Sequence, residues 1–332
     1  MASDDRRVVL HRLDNGARGE FDLDQLPERA GEWLDYAVGT AWSLTRAGLP
    51  LRGLRGVIQS NLPIGAGLSS SAAMELAVAH ALIASPADLP SPMALAQLAQ
   101  KAENLFVGVQ SGLMDQFAVA CGQANAALLL DCRSLDWRTV ALPLDEFTLV
   151  VCDSGQTREL ASSEYNVRRA QCDAAVAGLA VHDPAVRSLR DVSPALLDEA
   201  AREGWLEPLI LRRATHIVYE NIRVLDTIVA LEARDLAALG QLFAASHESL
   251  RSLFEVSSPA LDALVEVAVA TPGVVAARMT GAGFGGCTIN LVRPDAVQAL
   301  RAAVEDRYAS QTGYTPRVFP VVSTAGAGLI PA

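Results

Sequence analysis

A phosphate group needs donors that it can approach closely, and the stretch Asn61-Leu-Pro-Ile-Gly-Ala-Gly-Leu-Ser-Ser-Ser-Ala-Ala73 supplies them. Gly65 and Gly67 allow the backbone to turn tightly and present its N–H groups, and the serines place hydroxyls beside the unpaired amides of a helix start. The run Ala72 to Ala84 provides that helix. This is not a Walker A loop, because no Lys-Ser or Lys-Thr pair follows the glycines and Lys101 is the only lysine in the chain. Charge neutralisation then falls to amides, the helix dipole and a metal ion. A second chemical group is Asp115, in Leu113-Met-Asp-Gln-Phe-Ala-Val-Ala120. A carboxylate in a first helical turn is stabilised by the dipole, so it reads either as a helix-start charge or as a pocket acid set among Met114, Phe117 and small residues.

Met279-Thr-Gly-Ala-Gly-Phe-Gly-Gly-Cys-Thr288 is a second glycine-rich stretch, and residues 281–286 match G-x-G-x-x-G. A dinucleotide fingerprint requires a helix after the glycines, whereas Cys287-Thr-Ile-Asn-Leu-Val292 reads as a strand. The glycines instead mark a tight loop between strands, either a plain hairpin or a place that another backbone or a ligand can approach.

The elements that must position these groups are legible in outline. Arg7 to Leu13 alternates like a strand, Asp14-Asn-Gly16 signals a hairpin, and Gly19 to Leu23 returns. A helix is predicted from Pro27 to Arg46, then a strand over Gly53 to Leu62 that feeds the phosphate loop. Ser91-Pro92 opens another helix, which carries Glu103, and Gly108-Val-Gln-Ser-Gly112 links it to the Asp115 helix. Further strands are expected at Ala126 to Asp131, Trp137 to Leu142 and Phe147 to Asp153. Arg158 to Leu179, Trp205 to Ala233, Asp235 to Leu253 and Pro259 to Ala268 show helical periodicity.

The chain has 332 residues, 51% of them hydrophobic and only 5% aromatic, which describes an aliphatic, helix-rich globular protein with a substantial core. Its net charge of -11 argues against a nucleic-acid footprint and favours small molecules or proteins as partners. Five cysteines without C-x-x-C spacing suggest neither a disulfide framework nor a zinc site, and are expected to be reduced core residues. The acidic start Met1-Ala-Ser-Asp-Asp and the lack of any long apolar run predict a soluble, cytoplasmic protein without membrane contact.

Pro63-Ile-Gly-Ala-Gly-Leu-Ser-Ser-Ser-Ala-Ala73 resembles the second motif of the GHMP small-molecule kinases, and Met279 to Cys287 resembles their third. Within that superfamily the similarity is to galactokinases. It is carried in order by Gly112-Leu-Met-Asp-Gln-Phe117, Asp131-Cys-Arg-Ser-Leu135, Ser163-Glu-Tyr-Asn-Val-Arg-Arg-Ala-Gln-Cys172, Ser246-His-Glu-Ser-Leu-Arg251 and Glu255-Val-Ser257, from about Trp33 to the C-terminus.

The resemblance implies an α+β fold of two lobes with the active site in the cleft between them. Residues 1–150 would form the N-terminal lobe with the phosphate loop, truncated at its start, and 151–332 the C-terminal lobe with the third motif. It implies ATP as phosphoryl donor, Mg²⁺ as cofactor, galactose or a related sugar as substrate and galactose 1-phosphate as product. Gly65, Ala66, Gly67, Leu68, Ser69, Ser70 and Ser71 would hold the nucleotide phosphates, Ser71 and Glu103 the metal, and Asp115 the attacking hydroxyl. Gly112 and Tyr165 resemble sugar-contacting positions, and Trp33 an aromatic near the adenine.

One family element is absent, a first motif of the form G-R-x-N-L-I-G-E-H-x-D-Y. Its arginine sits beside the catalytic aspartate, and its acidic residues and histidine bind sugar hydroxyls. The expectation is that the sequence starts at an internal codon and omits the first strands. The alternatives are a catalytically impaired nucleotide-binding regulator on the same fold, or a kinase for another substrate. The Ser163 and Asp131 stretches weigh against mevalonate.

Overall fold

The computed structural model describes residues 2–3, 5–62, 67–156 and 161–330. These form two compact units, one holding most of the chain up to Thr139 together with the tail from Ser323, the other running from Val140 to Val322. The division thus falls ahead of the 150/151 boundary expected from sequence, and the chain returns to the first unit at its end.

The first unit is a sheet covered by helices. Its strands are β1 (Ala2–Ser3), β2 (Arg7–Arg12), β3 (Arg18–Asp22) and β4 (Gly53–Ile58), in the order β1-β4-β2-β3. The Asp14-Asn-Gly16 turn closes the β2–β3 hairpin: Asn15 Oδ1 accepts the Ala17 N–H at 3.0 Å, and Gly16 sits at φ 70°. Because β2 and β4 are parallel, the chain crosses over between them through α1 (Leu34–Arg46). Apolar spacing on α1 and on α2 (Ser70–Leu82) buries Ala37, Val38, Ala41, Leu44, Leu76, Ala79 and Leu82 against Val8, Leu10, Phe21 and Leu54.

Helix α1 starts later than the Pro27 expected. Gly31 takes a left-handed conformation, φ 81°, and the buried Asp35 carboxylate accepts the N–H groups of Ala30, Gly31 and Glu32 at 3.0, 2.6 and 3.2 Å. Those amides are satisfied by a side chain rather than by helical carbonyls, so 27–33 runs as a bend that delivers Trp33 to the helix start. Helix α3 (Pro92–Lys101), capped by the Ser91 hydroxyl, continues as a π turn over Ala102–Val107 and stops at Gly108, φ 86°. Helix α4 (Met114–Cys121) follows, then a ribbon of β5 (Ala126–Leu130) and β6 (Trp137–Ala141). The tail adds to this unit through Gly326 N–H to Gly122 O, 2.8 Å, and Ala327 N–H to Val119 O, 2.7 Å.

In the second unit, β7 (Thr148–Asp153) precedes α5 (Ala161–Ala180), α6 (Pro194–Glu203), α7 (Pro208–Glu232), α8 (Leu236–Ser252) and α9 (Pro259–Val269). The start expected for α5, Arg158, lies outside the described residues. After α9 come β8 (Val274–Met279), β9 (Cys287–Val292), α10 (Val297–Ala303) and β10 (Arg317–Val321). The sheet is antiparallel in the order β10-β7-β9-β8. Val150, Cys152, Ala277 and Val292 of its strands pack against Leu264, Val267, Leu300 and Tyr308. A second cluster forms where Ala175 and Leu179 of α5 meet Leu197, Ala214 and Val218.

Cys121, Cys152 and Cys287 are buried as expected, but Cys132 is exposed on the turn after β5. Among the described residues no helix is long and apolar enough to cross a membrane.

A Cβ on Gly326 would stand 2.3 Å from Ala120 O, a backbone atom that cannot yield. Gly326→Ala is therefore expected to destabilise the chain by about 1–3 kcal/mol through overpacking, read as a lower urea midpoint.

Candidate active site

The glycine- and serine-rich stretch enters α2 without a side-chain cap. Gly67 has φ 77° and Ser69, not a glycine, has φ 56°; the Ser69 side chain makes no cap hydrogen bond, and its carbonyl accepts the Ala73 N–H at 3.0 Å. The first-turn amides at Ser70 and Ser71 thus precede any intrahelical acceptor, which is the condition for receiving an anion. Ser69, Ser70 and Ser71 are half-buried, as is Leu68. Gly65 and Ala66, with Pro63 and Ile64, lie outside the described residues.

One turn beyond Ser71, on the same face of α2, stands Glu75, which sequence reasoning missed. It is fully buried in a helix whose other polar residues are Ser70 and Ser71 of its first turn and His80 of its last. Gln116, also fully buried, donates from Nε2 to Glu75 Oε2 at 3.0 Å and to Glu103 Oε2 at 2.9 Å. The Ser111 hydroxyl donates to the same Glu103 oxygen, while Gln100 and Asn104 hold the Ser111 carbonyl at 3.1 and 3.2 Å. Three elements thereby converge: α2 brings Glu75, the π turn Glu103, and α4 Gln116 with its neighbour Asp115. A π turn widens the helix by one residue, and such widenings often accompany functional sites.

The electrostatics follow from burial. Desolvation pushes the Glu75 carboxyl well above the ordinary 4.5, with the Glu103 and Asp115 charges adding and the Gln116 hydrogen bond opposing. The Tyr36 phenol is raised by burial, then by Glu103 and Glu75, with Arg29 acting against them. Glu75 Oε1 and Gln116 Oε1 are buried acceptors without a hydrogen-bond partner. A proton on Glu75 converts one of these orphans into a donor.

Asp115 is half-buried in the first turn of α4, and its helix is anchored by Phe117, whose ring meets Trp137 edge-on at 5.6 Å. Met114, expected beside it in a pocket, is instead 61% exposed, because the helix turns its Gln116–Phe117 face inward. Gly112 is exposed two residues before α4. Trp33 is half-buried at the start of α1; its ring faces Gly19 of β3, with the Arg12 guanidinium 5.6 Å from its centroid.

Glu103 and Ser71 offer hard oxygen ligands of the kind Mg²⁺ takes. Among the described residues no three His, Cys, Asp or Glu side chains form a metal cluster. That donor set suits an ion that keeps several waters and draws its other ligands from phosphate oxygens.

In the second unit, Tyr165 stands half-buried on α5. The second glycine stretch joins β8 to β9, closed by Thr280 N–H to Cys287 O at 3.0 Å. Gly281, Gly283, Phe284, Gly285 and Gly286 all have positive φ. A Cβ on Gly283 would lie 2.1 Å from Val256 O, so this glycine is demanded by a close backbone approach.

An unfolded chain ionises Glu75 from about pH 4.5, whereas burial delays that ionisation in the native chain, so over that range the native state binds more protons and loses stability as pH rises. Glu75→Gln should match the wild type near or below that pH and become progressively more stable above it. Urea midpoints across pH 4–8 measure this, and a glutamine variant weaker at neutral pH would mean that the carboxylate is carried ionised.

Comparison with known proteins gives the family. Residues 35–123 match the model of GHMP kinases N terminal domain, and residues 227–310 that of GHMP kinases C terminal. The galactokinase of Chloroflexus aurantiacus is 46% identical over 93% of this chain and 78% of its own length. That of a Roseiflexus species is 43% identical over 98% and 83%. The structure of Lactococcus lactis galactokinase complexed with galactose superposes with a TM-score of 0.90 at 36% identity, covering 99% of this chain and 84% of that one. Methanococcus jannaschii mevalonate kinase, at 16% identity and TM-score 0.64, shares the fold alone. With both domain models matched and this identity sustained along nearly its whole length, the chain belongs to the galactokinase family of GHMP kinases.

Proposed function

We propose that this chain transfers the γ-phosphoryl group of ATP to the C1 hydroxyl of galactose, giving galactose 1-phosphate and ADP. The observation that carries the reading is the 46% identity to a galactokinase across 93% of the chain, supported by the 0.90 superposition on a galactose-bound member. The site would lie in the cytoplasm and serve small molecules.

Phosphoryl transfer asks a protein for position and charge stabilisation rather than covalent chemistry. Asp115 is assigned to the sugar hydroxyl: its carboxylate accepts the proton as the bond to phosphorus forms, or orients the hydroxyl for attack. The amides of the Gly65 to Ser71 loop and the start of α2 would receive the nucleotide phosphates, a role suited to an uncapped helix start. Trp33 is assigned to the adenine side, and Gly112 and Tyr165 to the sugar. Ser71 and Glu103 would hold Mg²⁺, which when bound neutralises phosphate charge that the chain's single lysine leaves unmet. Ser111 and Gln116 fix the Glu103 carboxylate for that task from one side. Burial disfavours the charged form of Glu75, which limits the negative charge facing the incoming triphosphate.

Sugar-dependent ADP release by the purified chain with Mg-ATP, comparing galactose with other hexoses, tests the reading. Asp115→Asn is expected to lower kcat by about 10²–10⁴-fold while nucleotide binding persists. Nucleotide binding with no turnover on any sugar would favour a regulator on this fold, and turnover on another hexose would reassign the substrate.

A further inference from the structure

The segment that follows α8 has its carbonyls taken by two arginines. Arg213 of α7, 2% exposed, donates to Leu253 O at 2.5 Å, to Gln171 Oε1 at 2.8 Å and to Glu255 Oε2 at 2.6 Å. Arg168 of α5 donates from Nε to Phe254 O and from Nη2 to Glu255 O, both at 2.7 Å. The next carbonyl, Val256 O, accepts the Phe284 N–H at 2.7 Å and fills the space where Gly283 lacks a Cβ. The turn is therefore a mould for the glycine loop between β8 and β9.

Both partners in this contact hold strained backbone. Glu255 and Phe284 are not glycines, yet stand at φ 54° and 59°. Such conformations persist only when their surroundings over-determine them. Arg168 touches both sides: its guanidinium also lies 5.6 Å from the centroid of the Phe284 ring. It sits one helical turn after Tyr165, so the helix assigned to the sugar and the glycine loop share one rigid fork.

We propose that Arg168 is a positioning residue for phosphoryl transfer, locking the Leu253–Val256 turn and the Gly281–Gly286 loop to the helix that carries Tyr165. This rests on the kinase reading above. Arg168 itself need touch neither substrate. A lysine cannot reproduce the fork, since its single ammonium cannot meet two carbonyls and a ring in one plane.

The test uses the full chain with Arg168→Lys, Phe284→Leu and, as a control, Arg169→Lys, whose side chain is exposed and pairs with Asp173. Two readouts are taken, steady-state kinetics and amide hydrogen exchange. Arg168→Lys is expected to lower kcat about 10- to 100-fold, the scale for a misplaced site group, with both KM values within about threefold. Exchange at the Phe284 amide should accelerate about tenfold or more while α7 and α8 stay protected, and Arg169→Lys should change neither. A merely structural role would loosen α7 and α8 and leave the kinetics of the folded fraction intact. Unchanged Phe284 exchange, or unchanged kcat, overturns the proposal. Should Arg168→Lys fail to fold, Phe284→Leu, which leaves the carbonyl bonds in place, decides: wild-type kinetics overturn it. A wild type inert on every hexose would sink the kinase reading instead, while the exchange measurement still decides the brace.

Discussion

The first unit depends on one side-chain amide holding two buried carboxylates. Gln116 is the shared neighbour of Glu75 and Glu103, and it joins α2, the π turn and α4 at a point where no element could be moved without stranding a polar group. Burial works against a second negative charge beside Glu103, and a single neutral amide cannot offset one. Acceptors outnumber donors there, as the orphan oxygens of Glu75 and Gln116 attest. Protons and cations are what such a centre retains, and it lies one turn from a helix start that favours anions.

The second unit solves a different problem. Its glycine loop is shaped by sterics: neighbouring backbone occupies the volume of a side chain at Gly283, and five residues turn through positive φ. Arg168 and Arg213 here clamp backbone carbonyls as well as pairing with acids. Asp153 and Arg317 pair across β7 and β10 at the other side of the same hairpin, where Ser154 N–H reaches Gly286 O at 2.8 Å. The loop is thus held from behind and at its base.

Much of this was readable from residue types. The strand expected after the second glycine stretch argued against a dinucleotide fingerprint, and β9 occupies Cys287–Val292 as expected. Ser91-Pro92 marked its helix start correctly because capping is local chemistry. What escaped was non-local. Glu75 in Ala-Ala-Met-Glu-Leu looks like a solvent-facing helix residue, and its one sequence signal is four-residue spacing from Ser71. Gln116 drew no attention because its two partners come from other elements. The start of α1 failed because Asp35 competes for backbone amides upstream of itself, a tertiary bend that helical periodicity does not register.

The tail that rejoins the first unit has a consequence for synthesis. Gly326 and Ala327 pair with Gly122 and Val119, so a unit whose sheet and helices are specified before Thr139 lacks its last backbone partners until the ribosome has released nearly the whole chain. At roughly 5–20 residues per second, that interval is on the order of ten to forty seconds. Throughout it the carbonyls at the end of α4, the helix that carries Asp115, must be met by water or a chaperone.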